Sequence, residues 1–403
     1  MSSGTTPIEP NARLIAPPSH ALRIRVLPVA LVLGTFAWSF VYVSLPFYIQ
    51  RLSPGDRVST LKWTGWILGI SPLVTVVTAP VWGRLAGHGN PRTFYVVVEL
   101  LQGIGFFLMA LARTLFELFL ARLFLGVMGA ASTFAFIIAA RSESGEVRRE
   151  VSAIQSAMTV GQVFGPLAGA VVAARVGYTA SFLLGGAILW GCAGLVRWGV
   201  PSPKPSQPVE AIRGQASWRE VWIVCLPVLA GSTHIFFLTA VLPQILPVLG
   251  VAPADALEVG GLIIFFSGVA AALGSLWAPR LADLLGERFV IAWSLTASSL
   301  LLVLLALAPN AWIFGSLRFL QVLFVAPVFP LAVAQIAQRA DGQAIGLVNS
   351  SRIGAAFVGP VVTTTLLSWF PPGMVYGVLA FLGLACLPLV VPLRVPRDAR
   401  GSP

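Results

Sequence analysis

The sequence predicts an all-α membrane protein of twelve transmembrane helices in two pseudo-symmetric six-helix bundles, and three observations carry that prediction. With 57% hydrophobic residues, 10% charged residues and a mean hydropathy of +0.87, the chain has lipid as its preferred solvent. Apolar stretches of about 20 residues, enough to cross a hydrocarbon core at about 1.5 Å per residue, recur along its whole length. Their order is written twice: Leu45-Pro46 returns as Leu242-Pro243, Leu85-Ala86 as Leu281-Ala282, Arg122 as Arg318 and Gly165-Pro166 as Gly359-Pro360. A duplicated order of spans implies two similar bundles about a pseudo-symmetry axis, a build that places a solute path between the halves.

The first span, 26 to 49, follows a proline-bearing tail with no apolar core, so it reads as an uncleaved anchor. The second, 60 to 82, leads into a Gly- and Arg-containing loop. The third, 93 to 112, carries Glu99, and the fourth, 115 to 140, carries Arg122. The fifth, 150 to 174, holds a run of spaced glycines, and the sixth, 178 to 200, ends the first half. The seventh, 220 to 246, contains His234. The eighth, 257 to 279, ninth, 288 to 308, and tenth, 311 to 337, repeat the loop and the intramembrane arginine as Asp283 and Arg318. The eleventh and twelfth, 343 to 369 and 373 to 393, complete the second half. All are solid blocks without the alternation of a membrane β-barrel, so backbone polar groups must be satisfied within helices.

The chain divides accordingly: a tail at 1–25, a first bundle at 26–200, a linker at 201–218, a second bundle at 219–394 and a tail at 395–403. Four prolines in the linker make it a semi-rigid tether. The net charge of +11 does not point to nucleic acid, because the basic residues are dispersed over loops with no aromatic stacking pattern. It reports topology instead. One set of loops holds only Arg51, Arg57, Lys62, Arg113 and Arg175, and the connections after the seventh, ninth and eleventh spans hold no basic residue at all. The other side is therefore the cytoplasmic one, with both termini and the linker on it, in the cell inner (cytoplasmic) membrane. Cys192, Cys225 and Cys386 fall in apolar spans, and His20, His88 and His234 are far apart. No disulfide, metal or cofactor is expected. Nor is there an H-E-x-x-H, a G-x-S-x-G or a carboxylate pair at matching depth, so an enzyme is not expected either.

Three motifs sharpen the reading. After the second span stands Gly83-Arg84-Leu85-Ala86-Gly87-His88-Gly89-Asn90-Pro91-Arg92, and after the eighth Pro279-Arg280-Leu281-Ala282-Asp283-Leu284-Leu285-Gly286-Glu287-Arg288. Arg122-Leu123-Phe124-Leu125-Gly126-Val127-Met128-Gly129 lies in the fourth span. Gly161, Gly165 and Gly169, with Pro166, give the fifth span a smooth face for close helix approach and a bend. Together these resemble the major facilitator superfamily and, within it, the twelve-span drug:proton antiporter branch, over residues 26 to 394. The resemblance implies alternating access, a gating loop in which Asp283 and Arg288 keep the family's charges while Gly87 departs from them, and export rather than uptake.

It also implies a cavity lined by the first, fourth, seventh and tenth spans and flanked by the second, fifth, eighth and eleventh. Candidate substrate contacts there are Trp38, Tyr42, Arg122, Phe134, Gln162, His234, Phe237, Arg318, Gln321 and Arg352. Aromatic walls with sparse polar points suit small hydrophobic or amphipathic solutes. Arg122 is either a cavity cation or a snorkelling side chain. For protons, a partner this branch implies, the candidates are Glu99, an intramembrane carboxyl, and His234, whose imidazole titrates in the useful range. Each is equally readable as structural. The alternative within transport is a carrier of a specific metabolite or organic anion, bound by Arg122, Arg318 and Arg352. A monomer surrounded by lipid is expected.

Overall fold

A computed structural model describes residues 26–129, 131–140, 147–201, 217–337 and 342–390, and every regular element among them is helical. The first half comprises α1 (Val26–Leu52), α2 (Arg57–His88), α3 (Pro91–Leu111), α4 (Leu115–Val127), α5 (Ala131–Ala140), α6 (Val147–Arg175) and α7 (Tyr178–Gly199). The second comprises α8 (Trp218–Ile245), α9 (Ala256–Leu285), α10 (Glu287–Leu305), α11 (Ala311–Val325), α12 (Val328–Ala337), α13 (Gly342–Trp369), α14 (Pro372–Ala385) and α15 (Leu387–Val390). Eleven spans among the described residues, counting α4 with α5, α11 with α12 and α14 with α15 as one each, are long and apolar enough to cross a membrane. The remaining span, the eleventh in sequence, is α13, which packs between α2 and α8. Both tails and linker residues 202–216 lie outside the described residues; Trp218, assigned to the linker from sequence, already belongs to α8.

Helix starts follow local chemistry. Asp56 accepts hydrogen bonds from the backbone N–H groups of Val58 and Ser59, Asn90 caps α3 ahead of Pro91, and Asn310 caps α11. Thr114 with Glu117, and Ser217 with Glu220, form capping boxes at α4 and α8. Three spans expected to be continuous are each divided: the fourth after Val127, the tenth before Val328 and the twelfth at Cys386. Gly129, Pro327 and Pro388 stand at the breaks, where helix propagation is weakest. In the fourth span the freed carbonyls are covered. Thr75 Oγ1 donates to Gly126 O (3.0 Å), Trp82 Nε1 to Val127 O (2.6 Å) and Gln102 Nε2 to Met128 O (2.6 Å). A break in hydrocarbon persists because neighbouring helices satisfy it.

The duplication read from sequence reappears in the packing. Within the first half α1 packs on α6, α3 on α7 and α2 on α4; within the second, the counterparts α8 on α13, α10 on α14 and α9 on α11 do the same. Two counterpart contacts join the halves, α2 with α13 and α6 with α9. Both lie toward the end opposite the linker. There the Trp66 and Phe357 rings meet at 5.8 Å, Phe164 and Phe265 at 5.7 Å, and Lys62 sits 5.8 Å from the Trp369 ring centroid. Arg175 Nε reaches Glu258 Oε1 at 3.3 Å. At the linker end, by contrast, no ring pair, cation–ring contact or ion pair joins the halves among the described residues, and Val77, Val81, Gln155 and Asn349 are exposed there. The two bundles close on each other at one end and part at the other.

The glycine face of the fifth span packs inside its own bundle. A Cβ at Gly165 would lie 2.7 Å from Phe36 O and 3.0 Å from Phe40 N of α1, and one at Gly169 would strike the Phe40 backbone. The interface with α9 uses the adjoining face, through Val163, Pro166, Leu167 and Ala170. Gly165→Leu therefore forces backbone apart, and overpacking of this kind costs about 1–3 kcal/mol. The expected outcome is a clear loss of thermal stability in detergent, read by monodispersity after heating, with Leu167→Ile near wild type. A second substitution tests the closed end. At Gly65 a Cβ would lie 3.1 Å from the Val361 Cα and 3.2 Å from Pro360 O across the halves. Gly65→Leu is expected to hold that end open and to speed thiol labelling of a cysteine placed at Phe357, whereas Arg175→Ala, which removes one exposed ion pair, should change it little.

Candidate functional site

The parted end defines the candidate solute path, and its polar walls come from counterpart helices. On α6 the side chains of Gln155 and Gln162, seven residues apart on one face, are exposed. On α13 Asn349, the repeat partner of Gln155 in the register that pairs Gly165 with Gly359, is exposed as well. Unpaired amides are costly against lipid, so this shared face is the one that meets water in the cleft. Arg352 stands one turn beyond Asn349. It is half-buried, its guanidinium lies 4.8 Å from the Phe329 ring of α12, and it makes no hydrogen bond or ion pair among the described residues.

The other two intramembrane arginines are placed differently. Arg122 is 2% exposed; its Nε donates to Ile67 O (3.1 Å) and its Nη2 to Leu68 O (3.3 Å), and the guanidinium lies 5.6 Å from the Trp38 ring. Ser71 Oγ of α2 donates back to Arg122 O (2.5 Å). Trp38 Nε1 donates to Gln102 Oε1 (2.7 Å), so α1, α2, α3 and α4 are tied through one cluster, with the unpartnered Tyr42 hydroxyl buried in it. Arg318 repeats the pattern. It donates to His234 O (2.7 Å), Ile235 O (2.6 Å) and Gln321 Oε1 (2.5 Å), and stacks 5.1 Å from the Phe237 ring. Gln321 Nε2 donates to Ser298 Oγ (2.6 Å), which lies 3.0 Å from His234 Nδ1; His234 Nε2 is 2.8 Å from Leu379 O.

The structure places the candidate contacts in different settings. Arg122, Phe134, His234, Phe237, Arg318 and Gln321 are buried within single bundles, and Phe134 packs between Trp82 and Phe94. Trp38 and Tyr42 are half-buried beside Arg122. Of the ten candidate contacts, only Gln162 and Arg352 bring polar groups to the parted end. The snorkelling alternative for Arg122 also falls, because backbone carbonyls of α2 hold its guanidinium inside the bundle. Gln102 and Ser298 went unread in the sequence although their separation equals that of Arg122 and Arg318, which was the available signal.

Glu99 lies on α3, 2% exposed, with Oε2 unpartnered. Gly34 of α1 makes room for it, since a Cβ there would lie 3.3 Å from Glu99 Oε1, and the buried Tyr95 stands one turn earlier on the same helix. Among the described residues no cation lies within ion-pair reach of this carboxyl. The gating loops are at the parted end. Asp283 and Arg288 are exposed and, among the described residues, make no ion pair with the other half, so the clasp expected of Asp283 is disengaged here. Arg92 Nη1 donates to Val200 O (2.8 Å), joining α3 to the end of α7. The side chains of Gly87 and His88 lie outside the described residues, as does His20.

Comparisons with known proteins agree with this geometry. The model of the Major Facilitator Superfamily matches residues 27–270 and 234–403. An MFS-type transporter of Bacillus subtilis strain 168, YuxJ, is 27% identical over 388 residues, covering 89% of this chain and 95% of its own. The multidrug resistance protein MdtG of Proteus mirabilis strain HI4320 is 25% identical over 296 residues, 70% of this chain and 72% of its own. Among solved structures, the nucleoside transporter NupG superposes with a TM-score of 0.73 at 13% identity, over 91% of this chain and 97% of its own. The human organic anion transporter MFSD10 gives 0.68 at 16% identity, over 93% and 100%. Two bundles joined by counterpart helix pairs, and a family model that spans nearly every residue of both, make this chain a multi-pass membrane transporter, not an enzyme, that belongs to the Major Facilitator Superfamily.

Proposed function

We propose that the protein is a proton-coupled exporter of small hydrophobic or amphipathic compounds, working by alternating access in a bacterial inner membrane with both termini cytoplasmic. The observation that carries this reading is the pair of counterpart contacts, α2 with α13 and α6 with α9, made at one end while the other end stands open. Rocking the bundles about those contacts exchanges the open end. The excess of Lys and Arg on the side of the linker supports a cytoplasmic position for the open end, where an exporter loads. The multidrug resistance proteins among the relatives support the solute class.

Glu99 is the better of the two proton candidates. His234 has both ring nitrogens engaged by Ser298 and Leu379, whereas Glu99 has a buried carboxyl oxygen with no partner. Exchanging its charge for a proton changes the charge buried between α1 and α3, and so biases how the first bundle packs.

Flux in membrane vesicles tests the reading. Wild type is expected to move a fluorescent amphipathic dye only when a pH gradient is imposed. Glu99→Gln should lose at least tenfold of that flux together with its pH dependence, while His234→Gln keeps the dependence. Flux of wild type that ignores the gradient would overturn the coupling. Topology is checked separately: cysteines at Ser206 and Ala254 should label from opposite sides with an impermeant thiol reagent, and labelling from one side would overturn the orientation.

A further inference from the structure

Three arginines lie within spans, and a guanidinium surrounded by hydrocarbon needs hydrogen-bond acceptors. Arg122 finds them in Ile67 and Leu68, and Arg318 in His234, Ile235 and Gln321. Arg352 alone of the three has none among the described residues. It is half-buried, ten residues into α13 from Gly342, and Phe329 flanks it. Asn349, three residues earlier and exposed, shares its side of the helix.

We propose that Arg352, Asn349 and Phe329 form an anion-binding subsite of the solute path that takes the carboxylate of an amphipathic aryl carboxylate. The planar guanidinium presents paired N–H donors that match the two carboxylate oxygens. The Asn349 amide adds a donor one helical turn away, and the Phe329 ring offers an apolar face beside the charge for the aryl body. Neither α12 nor α13 carries an acidic residue, and among the described residues no carboxylate of a packed helix, Glu220 of α8 included, forms an ion pair with the guanidinium. The site opens only where the bundles part, so closing that end desolvates the bound anion and opening the other end releases it. The assignment rests on reading the parted end as the mouth of the solute path. It narrows the class of solute to one with a negative head.

The test uses the full chain purified into nanodiscs, with salicylate as the probe and salicylamide as its neutral counterpart of nearly equal shape. Wild type is expected to bind salicylate at least tenfold more tightly than salicylamide. Arg352→Gln should abolish that preference while leaving salicylamide binding unchanged. Arg352→Lys should keep part of it, since a point charge remains without the planar fork, and Phe329→Leu should weaken both probes. As a readout that leaves Arg352 in place, salicylate but not salicylamide should slow thiol labelling of Asn349→Cys. Equal affinity for the two probes, no binding of either, or an unchanged preference in Arg352→Gln overturns the assignment. Failure of the efflux reading shows elsewhere, as dye flux in wild-type vesicles that ignores the pH gradient, and leaves the salicylate preference standing.

Discussion

Inside a bilayer no water is available to complete a hydrogen bond, and this constraint organises the molecule. The chain places Arg122, Arg318 and several helix breaks at membrane depth, and each of these two arginines is resolved by a neighbouring helix. Arg122 takes carbonyl oxygens from α2, and Arg318 takes them from α8. In return, side chains of α2 and α3 cover the carbonyls released where the fourth span breaks. An apolar surface gives two membrane helices little reason to associate in lipid, so these polar ties and close glycine packing hold each bundle together. Arg122 and Arg318 thereby tie helices of their own bundles together.

Each bundle is knit internally by such ties, whereas the halves meet mainly through small and aromatic residues. Gly65, Gly69, Gly261 and Gly268 let α2 and α9 lie close to α13 and α6, and the ion pair seen across the halves, Arg175 with Glu258, is exposed. That contrast suits a molecule that must move. Strong, buried interactions preserve each half as a rigid body, while the joint between halves uses contacts that can be remade at low cost. The disengaged Asp283 belongs to the same logic, since a clasp at the parted end has nothing to grip until that end closes.

Charge is divided between the halves as well. Among the described residues, the first half holds a buried carboxyl without a counter-ion, Glu99, and the second a half-buried guanidinium without one, Arg352. They lie on helices that do not pack on each other, so a proton on one and an anion on the other can communicate only through how the bundles pack. Such coupling is a difference in conformational preference, and its size is limited by how differently each ligand binds the two states.

The sequence by itself determined the class of protein: hydropathy sets the number of spans, and the repeat of Leu45-Pro46, Arg122 and Gly165-Pro166 sets two bundles, because each signal depends on local composition and register. The helix starts are local too, since a cap such as Asp56 or Thr114 acts within one turn, but hydropathy alone begins the second span at 60 where the helix begins at Arg57. Which face of a helix meets its own bundle, the other half or the cleft is fixed by neighbours distant in sequence. An apolar span offers little contrast in hydropathy between those environments. Tertiary structure alone decided that Phe134, His234 and Phe237 are packed inside bundles, that the Gly165 face seats α1, and that of three similar arginines two have backbone carbonyls within reach and Arg352 has none. Those outcomes turn on separations of about 3 Å between residues some 50 to 80 positions apart, a distance over which spacing in sequence carries no geometric information.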